Sequence, residues 1–440
     1  WTKACSSWNP DDMRTAFRGS VFHCLADPGE HDDEQAVVWF EDGLLVVEDG
    51  MIEALGEADA LMGSLSDDTQ VEDYSGKLIV PGLIDCHVHY PQIDVIGSYG
   101  EELLDWLNRY AYPGEMRFAD EDYAREVAAV FVDELVRNGT TTALVFGTVH
   151  AHSADAIFEA AAAKNMRLIA GKVLMDSNCP EALKDSAATG YEHSKQLIER
   201  WHGKGRLGYA ITPRFALTSS EAQLEAAGRL AAEHPDVWVH THLAENHDEV
   251  EQISRLFPWS SSYLDVYDHF GLVRERSVFA HCLHLQDDEC RLLANSGAAA
   301  AHCPTSNMFL GSGLFDLRRL HEQQVRVGLG TDVGGGTSLS LLKTMREAYK
   351  VLHLQQQPLP PGRALYLATL GAARALYLDD RIGNFAAGKE ADFIVLDPRG
   401  TSISAHRTAL ASSLGELLFA LIVLGDDRNV AATYLQGMRA

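Results

Sequence analysis

The sequence has little cysteine for its length, and its cysteines do not form close pairs. Seven cysteines occur among 440 residues, an odd number, and no two have the Cys-x-x-Cys spacing. This excludes a small secreted scaffold held together by disulfides. Cys86, Cys282 and Cys303 instead lie beside histidines. The pattern indicates a reducing compartment, and we expect a cytoplasmic protein.

Basic residues and long apolar runs are also scarce. Lysine and arginine number 36 against 63 acidic residues, so the formal net charge is −27. Such a field repels phosphate groups and anionic headgroups, which disfavours nucleic acid and membrane surfaces as partners. The longest late apolar run, Leu417 to Leu424, is too short to span a bilayer and indicates a buried helix or strand. The start of the chain shows no signal-peptide pattern.

Several cofactor motifs are missing. No Gly-x-Gly-x-x-Gly follows the first strand of the central region, so a dinucleotide-binding sheet has no support. Gly334-Gly335-Gly336 lacks the Gly-Lys-Ser/Thr of a phosphate loop and predicts a tight turn. The Pro-Cys-x-x-Cys of the His/Cys zinc deaminases is missing too, although His247-Asp248-Glu249 mimics the first half of their signature.

What the sequence does contain is a long alternation of strand and helix patterns. The predicted strands are Leu78–Asp85, Thr141–Phe146, Arg167–Leu174, Leu207–Ile211, Val237–Thr241, Ser277–Ala280, Ala298–Ala301 and Val325–Gly330. Helical patterns lie between them, and Gly139 and Gly297 follow two of these helices as predicted C-caps. Eight such repeats over roughly 300 residues are typical of a closed (β/α)8 barrel of the TIM type.

The two ends of the chain resemble each other rather than the middle. Short β-rich runs with Gly and Asp between them occur before residue 80, and Ala391–Asp397 and Val430–Met438 repeat the pattern. We therefore predict an α/β protein with a discontinuous small β-sandwich domain. Its parts are residues 1–80 and 381–440, and the barrel, residues 81–380, is inserted between them.

Histidines and carboxylates collect where the predicted barrel strands end. His87 and His89 are spaced i, i+2, so in a strand their side chains point to the same face. His242, His281 and Asp332 follow later strands in the same way. Barrel enzymes keep their chemistry at this end of the strands. We therefore expect these side chains to converge on one site.

This residue set suits a transition metal. Zinc takes histidine nitrogens and a carboxylate oxygen, and a catalytic site keeps one position open for water. His87, His89, His242 and Asp332 supply such a set. Glu245 lies three residues beyond His242, close enough to exchange protons with water and a leaving group. We therefore expect one Zn²⁺ per chain.

These motifs resemble the amidohydrolase superfamily. The resemblance rests on Pro-Gly-x-Ile-Asp-x-His-x-His from Pro81 to His89, the His242-x-x-Glu245 pair, His281 and Thr331-Asp332, and it spans nearly the whole chain. Longer stretches resemble the branch of this superfamily that deaminates guanine. They are His89-Tyr90-Pro91-Gln92, Ser98–Glu101, Gly171–Asp176, Thr212–Phe215, His242–Asn246, Cys303–Asn307, Gly330–Ser338 and Leu424–Asn429.

The resemblance implies hydrolytic deamination of guanine to xanthine and ammonia, at one zinc ion, by a homodimer. It implies that His87, His89, His242 and Asp332 bind the metal, that Glu245 shuttles protons, that His281 orients the attacking water, and that Asp332 helps to deprotonate it. Gln92, Arg214 and Phe215 would line the purine pocket, with His242 and Glu245 also facing the substrate. A Gln amide and an Arg fork suit the polar edge of guanine, and an aromatic ring suits its face.

Alternatives remain at this stage. The same barrel and ligand set would serve a hydrolase of another aminopurine, a pyrimidine or a triazine, and a non-catalytic barrel scaffold is a further alternative. His240 is in phase with His242, and we expect it to pack behind the ligands. Lys172 lies on the third strand rather than the fourth, where two-metal relatives carry a bridging lysine, so a one-metal site is favoured. Trp106 and Tyr110 either cover the pocket or pack in the core.

Overall fold

The computed structural model describes residues 14–66, 69–100 and 102–440. Its chain forms two separate β-sheets with helices around the larger one. The strands are β1 Arg14–Cys24, β2 Val37–Glu48, β3 Met51–Glu57, β4 Gln70–Pro81, β5 Leu83–His89, β6 Thr140–Phe146, β7 Arg167–Gly171, β8 Val173–Leu174, β9 Leu207–Pro213, β10 Trp238–Leu243, β11 Ser277–His281, β12 Ala299–His302, β13 Arg326–Leu329, β14 Phe393–Leu396, β15 Val430–Leu435 and β16 Met438–Arg439.

Most α-helices connect the barrel strands or lie in the C-terminal region, and α1 lies between β3 and β4 of the small sheet. They are α1 Ala58–Met62, α2 Leu103–Trp106, α3 Tyr112–Met116, α4 Glu121–Arg137, α5 Ala151–Ala163, α6 Ala187–Trp201, α7 Glu221–Glu233, α8 His247–Leu256, α9 Tyr263–His269, α10 Asp287–Ser296, α11 Pro304–Phe309, α12 Leu317–Glu322, α13 Leu341–Leu354, α14 Pro361–Ala368, α15 Leu370–Ala375, α16 Ser402–Thr408 and α17 Leu414–Leu424. Among the described residues, none of these helices combines the length and apolarity needed to cross a membrane.

The larger sheet is the predicted barrel. Its parallel strands follow the order β5-β6-β7-β9-β10-β11-β12-β13, and the short β8 pairs with β9. The last residues of β5 meet the segment that follows β13, where Asp332 N–H donates to His87 O and His89 N–H donates to Val333 O, both at 2.9 Å. The fold-class prediction is confirmed, and the closure brings Asp332 beside the His-x-His pair.

Helix boundaries follow the sequence signals. Asp120 begins α4 by accepting hydrogen bonds from the N–H groups of Asp122 and Tyr123. Gly139 and Gly297 have φ angles of 81° and 75°, so both take the left-handed conformation expected after a helix.

The smaller sheet combines both ends of the chain. Its order is β16-β15-β14-β4-β1-β2-β3, and β14 pairs antiparallel with β4, which joins the C-terminal strands to the N-terminal ones. The predicted division at residues 80 and 380 stays a prediction. The C-terminal part is not wholly β, because α16 and α17 lie between β14 and β15. The Leu417–Leu424 run belongs to α17.

Two predicted strands, Leu78–Asp85 and Arg167–Leu174, each contain two separate strands, and the second is divided into β7 and β8. The apolar run Leu78–Asp85 contains two strands, because β4 ends at Pro81 in the small sheet and β5 begins at Leu83 in the barrel. Gly82 separates them, and a Cβ there would lie 2.1 Å from Thr141 Oγ1. Only a residue without a side chain allows this close approach. The segment that contains Trp106 and Tyr110 is helical, because α2 continues into a π-helical turn, Leu107–Ala111, and then into α3. Glu101 lies outside the described residues.

Candidate active site

Four predicted metal ligands converge at the carboxyl ends of the barrel strands. One ligand atom each from His87, His89, His242 and Asp332 lies within 4.8 Å of every other. The Nε2 atoms of His89 and His87, and of His242 and His89, are 3.2 Å apart. Asp332 Oδ1 lies 3.1 Å from His87 Nε2 and 3.3 Å from His89 Nε2. All four side chains are buried.

The hydrogen bonds behind the rings orient their nitrogens inward. His242 Nδ1–H donates to the carbonyl of Arg214 at 2.6 Å, so in the neutral ring Nε2 carries a lone pair. His87 Nδ1 lies 2.7 Å from His240 Nε2. Such outer partners are typical of metal-binding histidines, because they fix the tautomer and the ring plane. His240 therefore packs behind His87, one of the predicted ligands.

The ionisation states of these four side chains also suit metal binding. Burial lowers the pKa of His87 and of His242, and it lowers the pKa of His89 to about 3, so the rings are neutral. Burial alone would raise the pKa of Asp332, but His87 and His89 hold it well below its usual value. Neutral imidazoles and an ionised carboxylate are the forms that bind metal ions. Several acceptor atoms thus face one another, and a bound cation would offset the repulsion between them.

Glu245 and His281 lie beside the ligand cluster. His281 Nε2 is 3.3 Å from Glu245 Oε2 and 3.7 Å from Asp332 Oδ2, and it makes no hydrogen bond among the described residues. Its Nδ1 is held by Asn307 Oδ1 at 2.8 Å. Burial, followed by the charge of Asp332, raises the pKa of Glu245 to about 8. A carboxyl group with a pKa near neutrality is suited to both taking and giving a proton.

A cavity opens onto this cluster. The lining residues are His89, Gln92, Leu103, Trp106, Leu107, Arg214, Phe215, His242, Glu245, His281, Leu310, Asp332 and Gly335. The wall thus combines apolar and aromatic side chains with polar groups. Trp106 both lines the pocket and is buried, at 2% exposed.

Gln92 and Arg214 share a buried partner that the sequence did not reveal. Arg214 Nη1 donates to Glu115 Oε2 at 2.7 Å and to Oε1 at 2.9 Å, and Gln92 Nε2 donates to Glu115 Oε1 at 3.0 Å. Glu115 is 1% exposed and lies in the short helix α3. The ion pair of Arg214 is therefore buried rather than at a solvent-exposed rim.

The structure brings the predicted site residues together in one place. His87 is a ligand-cluster member behind the cavity wall, and the other predicted metal, catalytic and substrate residues line the cavity. Their individual roles stay predictions. Lys172 does not reach the site, because its Nζ pairs with Asp185. Ser312, which donates to Glu245 Oε1 at 3.2 Å, was also missed, since a serine in a loop gives no distinctive sequence signal.

The barrel, its strand-end ligands and the pocket define a metal-dependent hydrolase of the amidohydrolase type. The amidohydrolase family pattern matches residues 78–439. The chain belongs to the amidohydrolase family.

Individual relatives give a more specific comparison than the family pattern does. The chain is 53% identical to the guanine deaminase of Escherichia coli K12 over 425 residues, which covers 96% of both chains. It is similar to the solved structure of E. coli guanine deaminase, with a TM-score of 0.94 over 97% of this chain and 99% of that one, at 51% identity. It also resembles the guanine deaminase of C. acetobutylicum with bound guanine, with a TM-score of 0.88 at 29% identity over 97% and 99% of the two chains.

Proposed function

We propose that this chain hydrolyses guanine to xanthine and ammonia at a single zinc ion. One observation carries the proposal: the ligand cluster and Glu245 open into the same cavity as the Arg214–Gln92 pair. Reacting groups and groups suited to the edge of an oxopurine thus share one space. The printed activity of the E. coli relative, at 53% identity over nearly the full chain, supports the same substrate.

Zinc is proposed on the chemistry of the donors. Three imidazole nitrogens and a carboxylate oxygen are a set that Zn²⁺ binds with tetrahedral preference, and Nε2 of His87, His89 and His242 with Oδ1 of Asp332 would hold it. When bound, the ion supplies Lewis acidity and makes water more acidic.

The protein's own groups then handle the protons. Water adds to the ring carbon that bears the amine, and the C–N bond to that amine breaks as ammonia leaves. His281 Nε2, which lies between Glu245 and Asp332, orients the attacking water. Glu245 takes the first proton of the water and gives it to a ring nitrogen. Asp332 takes the second proton, from the oxygen now bonded to the ring carbon, and passes it through Glu245 to the departing amine as the new carbonyl forms, so both carboxyl groups return to their starting state.

The cavity also fits a neutral planar ring. Phe215 and Trp106 offer aromatic surface, and the charge of Arg214 is balanced by Glu115. A buried arginine without a counter-ion would favour an anionic substrate, whereas this balanced pair favours a neutral ring with a carbonyl acceptor. Adenine carries an amine where guanine carries that carbonyl, and an unpaired buried donor costs about 1–3 kcal/mol.

Three broader proposals accompany this one. The scarcity and spacing of cysteine support a cytoplasmic location, which cell fractionation would test. The small β domain is proposed to comprise residues 1–80 and 381–440 around a barrel of residues 81–380. A homodimer is proposed from the exposure of Leu354, Ile403 and Leu410, at 74%, 60% and 68%. A light-scattering mass of one chain would contradict it.

The direct test is turnover by zinc-loaded protein. Guanine, adenine and cytosine are offered at equal concentrations, and ammonia release and xanthine absorbance are followed. We expect efficient release from guanine and poor release from the other two. Faster turnover of adenine or cytosine would refute guanine as the substrate. Chelator-treated protein serves as the blank, and activity should return when zinc is restored.

A further inference from the structure

Glu115 lies directly behind the two side chains proposed to recognise the substrate. It occupies α3, its side chain is buried, and it is not among the residues that line the cavity. It therefore touches neither the reacting atoms nor the ring. Any effect that it has on the reaction must pass through Gln92 and Arg214.

The hydrogen bonds of Glu115 fix the orientation of Gln92. The Gln92 amide nitrogen donates to Glu115 Oε1 at 3.0 Å, while the amide oxygen accepts from Gly334 N–H at 3.1 Å. Turning the amide over would place its oxygen against a carboxylate and its NH₂ against an N–H group. Both contacts would be repulsive, so the amide has one orientation.

Arg214 is held from two sides. Both oxygens of Glu115 accept from its Nη1, and the ring of Tyr112 lies 5.1 Å from the guanidinium carbon. Within the described residues, Nε and Nη2 of Arg214 make no hydrogen bond, and Arg214 lines the cavity. Its unused donors are therefore available to a bound ring.

These contacts indicate which of the two side chains, Arg214 or Gln92, faces the carbonyl oxygen of the purine. Arg214 offers only donors, and two of its nitrogens are free, which matches an oxygen acceptor. Gln92 has one N–H already committed to Glu115 and its oxygen already accepting from Gly334. The geometry points to Arg214 as the side chain that faces the carbonyl.

We infer that Glu115 is the positioning residue that gives this pocket its preference for a six-oxo purine, by anchoring Arg214 and Gln92 in one arrangement. The inference rests on the proposed function, because it specifies how the same pocket selects its substrate. Loss of the anchor lets the guanidinium shift, and a displacement of about 1 Å is enough to cost about 10²-fold in rate.

The test compares two ligands that differ in the oxygen at the six position and in the N1–H that accompanies it. Hypoxanthine has an oxygen at the six position and purine has a hydrogen, and neither carries the amine that would be released. Calorimetric titration of zinc-loaded wild-type protein should show a preference for hypoxanthine. Glu115→Gln should reduce that preference by roughly 10- to 100-fold, the range for a hydrogen bond to a charged group, while purine affinity changes less than about threefold. Zinc content should stay at the wild-type level.

Glu390→Gln is the matched control. Glu390 is also buried and also bridges two arginines, Arg167 and Arg206, but it does so at the amino ends of β7 and β9, remote from the cavity. This variant should lose thermal stability and keep the full preference for hypoxanthine. A merely structural role of Glu115 would make Glu115→Gln behave in the same way, and that result would overturn the inference.

A second variant covers the case in which Glu115→Gln does not fold. Glu115→Asp keeps the charge but shortens the side chain by one methylene, so it should also lose preference for hypoxanthine. An unchanged preference would overturn the inference, as would a wild-type protein that binds both ligands equally. Guanine turnover is measured separately. A wild-type protein without turnover, but with a preference that Glu115 variants abolish, would refute the proposed function and support the role of Glu115.

Discussion

Replacing Glu245 by glutamine should remove most turnover without removing the metal. The Glu245 side chain is 3% exposed, its Oε1 accepts from Ser312 Oγ at 3.2 Å, and its Oε2 lies 3.3 Å from His281 Nε2. Glutamine has nearly the same volume and still offers an oxygen to Ser312, so packing is retained. However, an amide cannot exchange a proton at neutral pH.

The size of the loss follows from the environment of the carboxyl group. A positioned acid–base group contributes about 10²–10⁴-fold in rate, which is about 2.7–5.4 kcal/mol of barrier. The pKa of Glu245, raised to about 8 mainly by burial, lies near the working pH, where such a group is most effective. We therefore expect kcat to fall by about 10³-fold or more.

The same substitution should change how the stability of metal-free protein depends on pH. Because the pKa of Glu245 rises from 4.5 to about 8 on folding, the native state binds this proton more tightly than the unfolded state. The wild-type free energy of unfolding should then fall as pH rises from about 4.5 through about 8. Glutamine has no such proton. Metal-free Glu245→Gln should therefore melt above wild type at pH 8, and the two melting temperatures should approach each other at pH 4.

The assay pairs elemental analysis with xanthine formation and thermal melts. Glu289→Gln is the control, because Glu289 is also buried but accepts from the backbone N–H groups of Leu264 and Gln286. Its turnover should stay near wild type. Turnover by Glu245→Gln close to wild type would remove Glu245 from the mechanism, and loss of zinc would make it a ligand. If the difference between the melting temperatures of the two proteins is the same at pH 4 and at pH 8, the argument from the pKa of Glu245 is contradicted.

Three further predictions concern the metal and the pocket. His242→Ala should lose zinc by elemental analysis, because it removes one of three neutral imidazoles; full retention would contradict its role as a ligand. Arg214→Met should keep zinc and lose guanine turnover, and differential scanning calorimetry should show destabilisation of about 3–5 kcal/mol, because the carboxylate of Glu115 is left buried without its partner. Lys172→Met should leave one metal per chain, because Lys172 pairs with Asp185 rather than with the site; two metals in wild type would contradict this.

The barrel and the ligand cluster could be predicted because their signals are local. The barrel strands fix the positions of residues at their ends, such as His87, His89 and Asp332. Parallel strands end at the same edge of the sheet, so these residues lie close together. The exception is the boundary at Pro81-Gly82. The apolar run continues through it, while the chain passes from one sheet to the other, and burial on both sides makes the two strands look like one.

The anchoring contacts could not be predicted in the same way. Glu115 is 23 residues from Gln92 and 99 from Arg214 in sequence, and it lies in the short helix α3, which follows a π-helical turn. Ser312 reaches Glu245 across 67 residues. Such pairs depend on how loops fold over the barrel mouth, and neither periodicity nor residue spacing carries that information.

The backbone at the site explains why these loops matter. Ala244, His281, Cys282 and Asp332 have φ angles of 49°, 73°, 55° and 49°, although none is glycine. Conformations of this kind cost about 1–3 kcal/mol each and persist only where surrounding contacts over-determine them. Here Cys282 N–H donates to Leu243 O at 2.9 Å and Asp332 N–H donates to His87 O at 2.9 Å, so these two residues are tied to the neighbouring strand. The packing of the barrel thus fixes the directions of the groups proposed to bind the metal and to transfer protons, and the strain at the strand ends is offset by the stability of the fold.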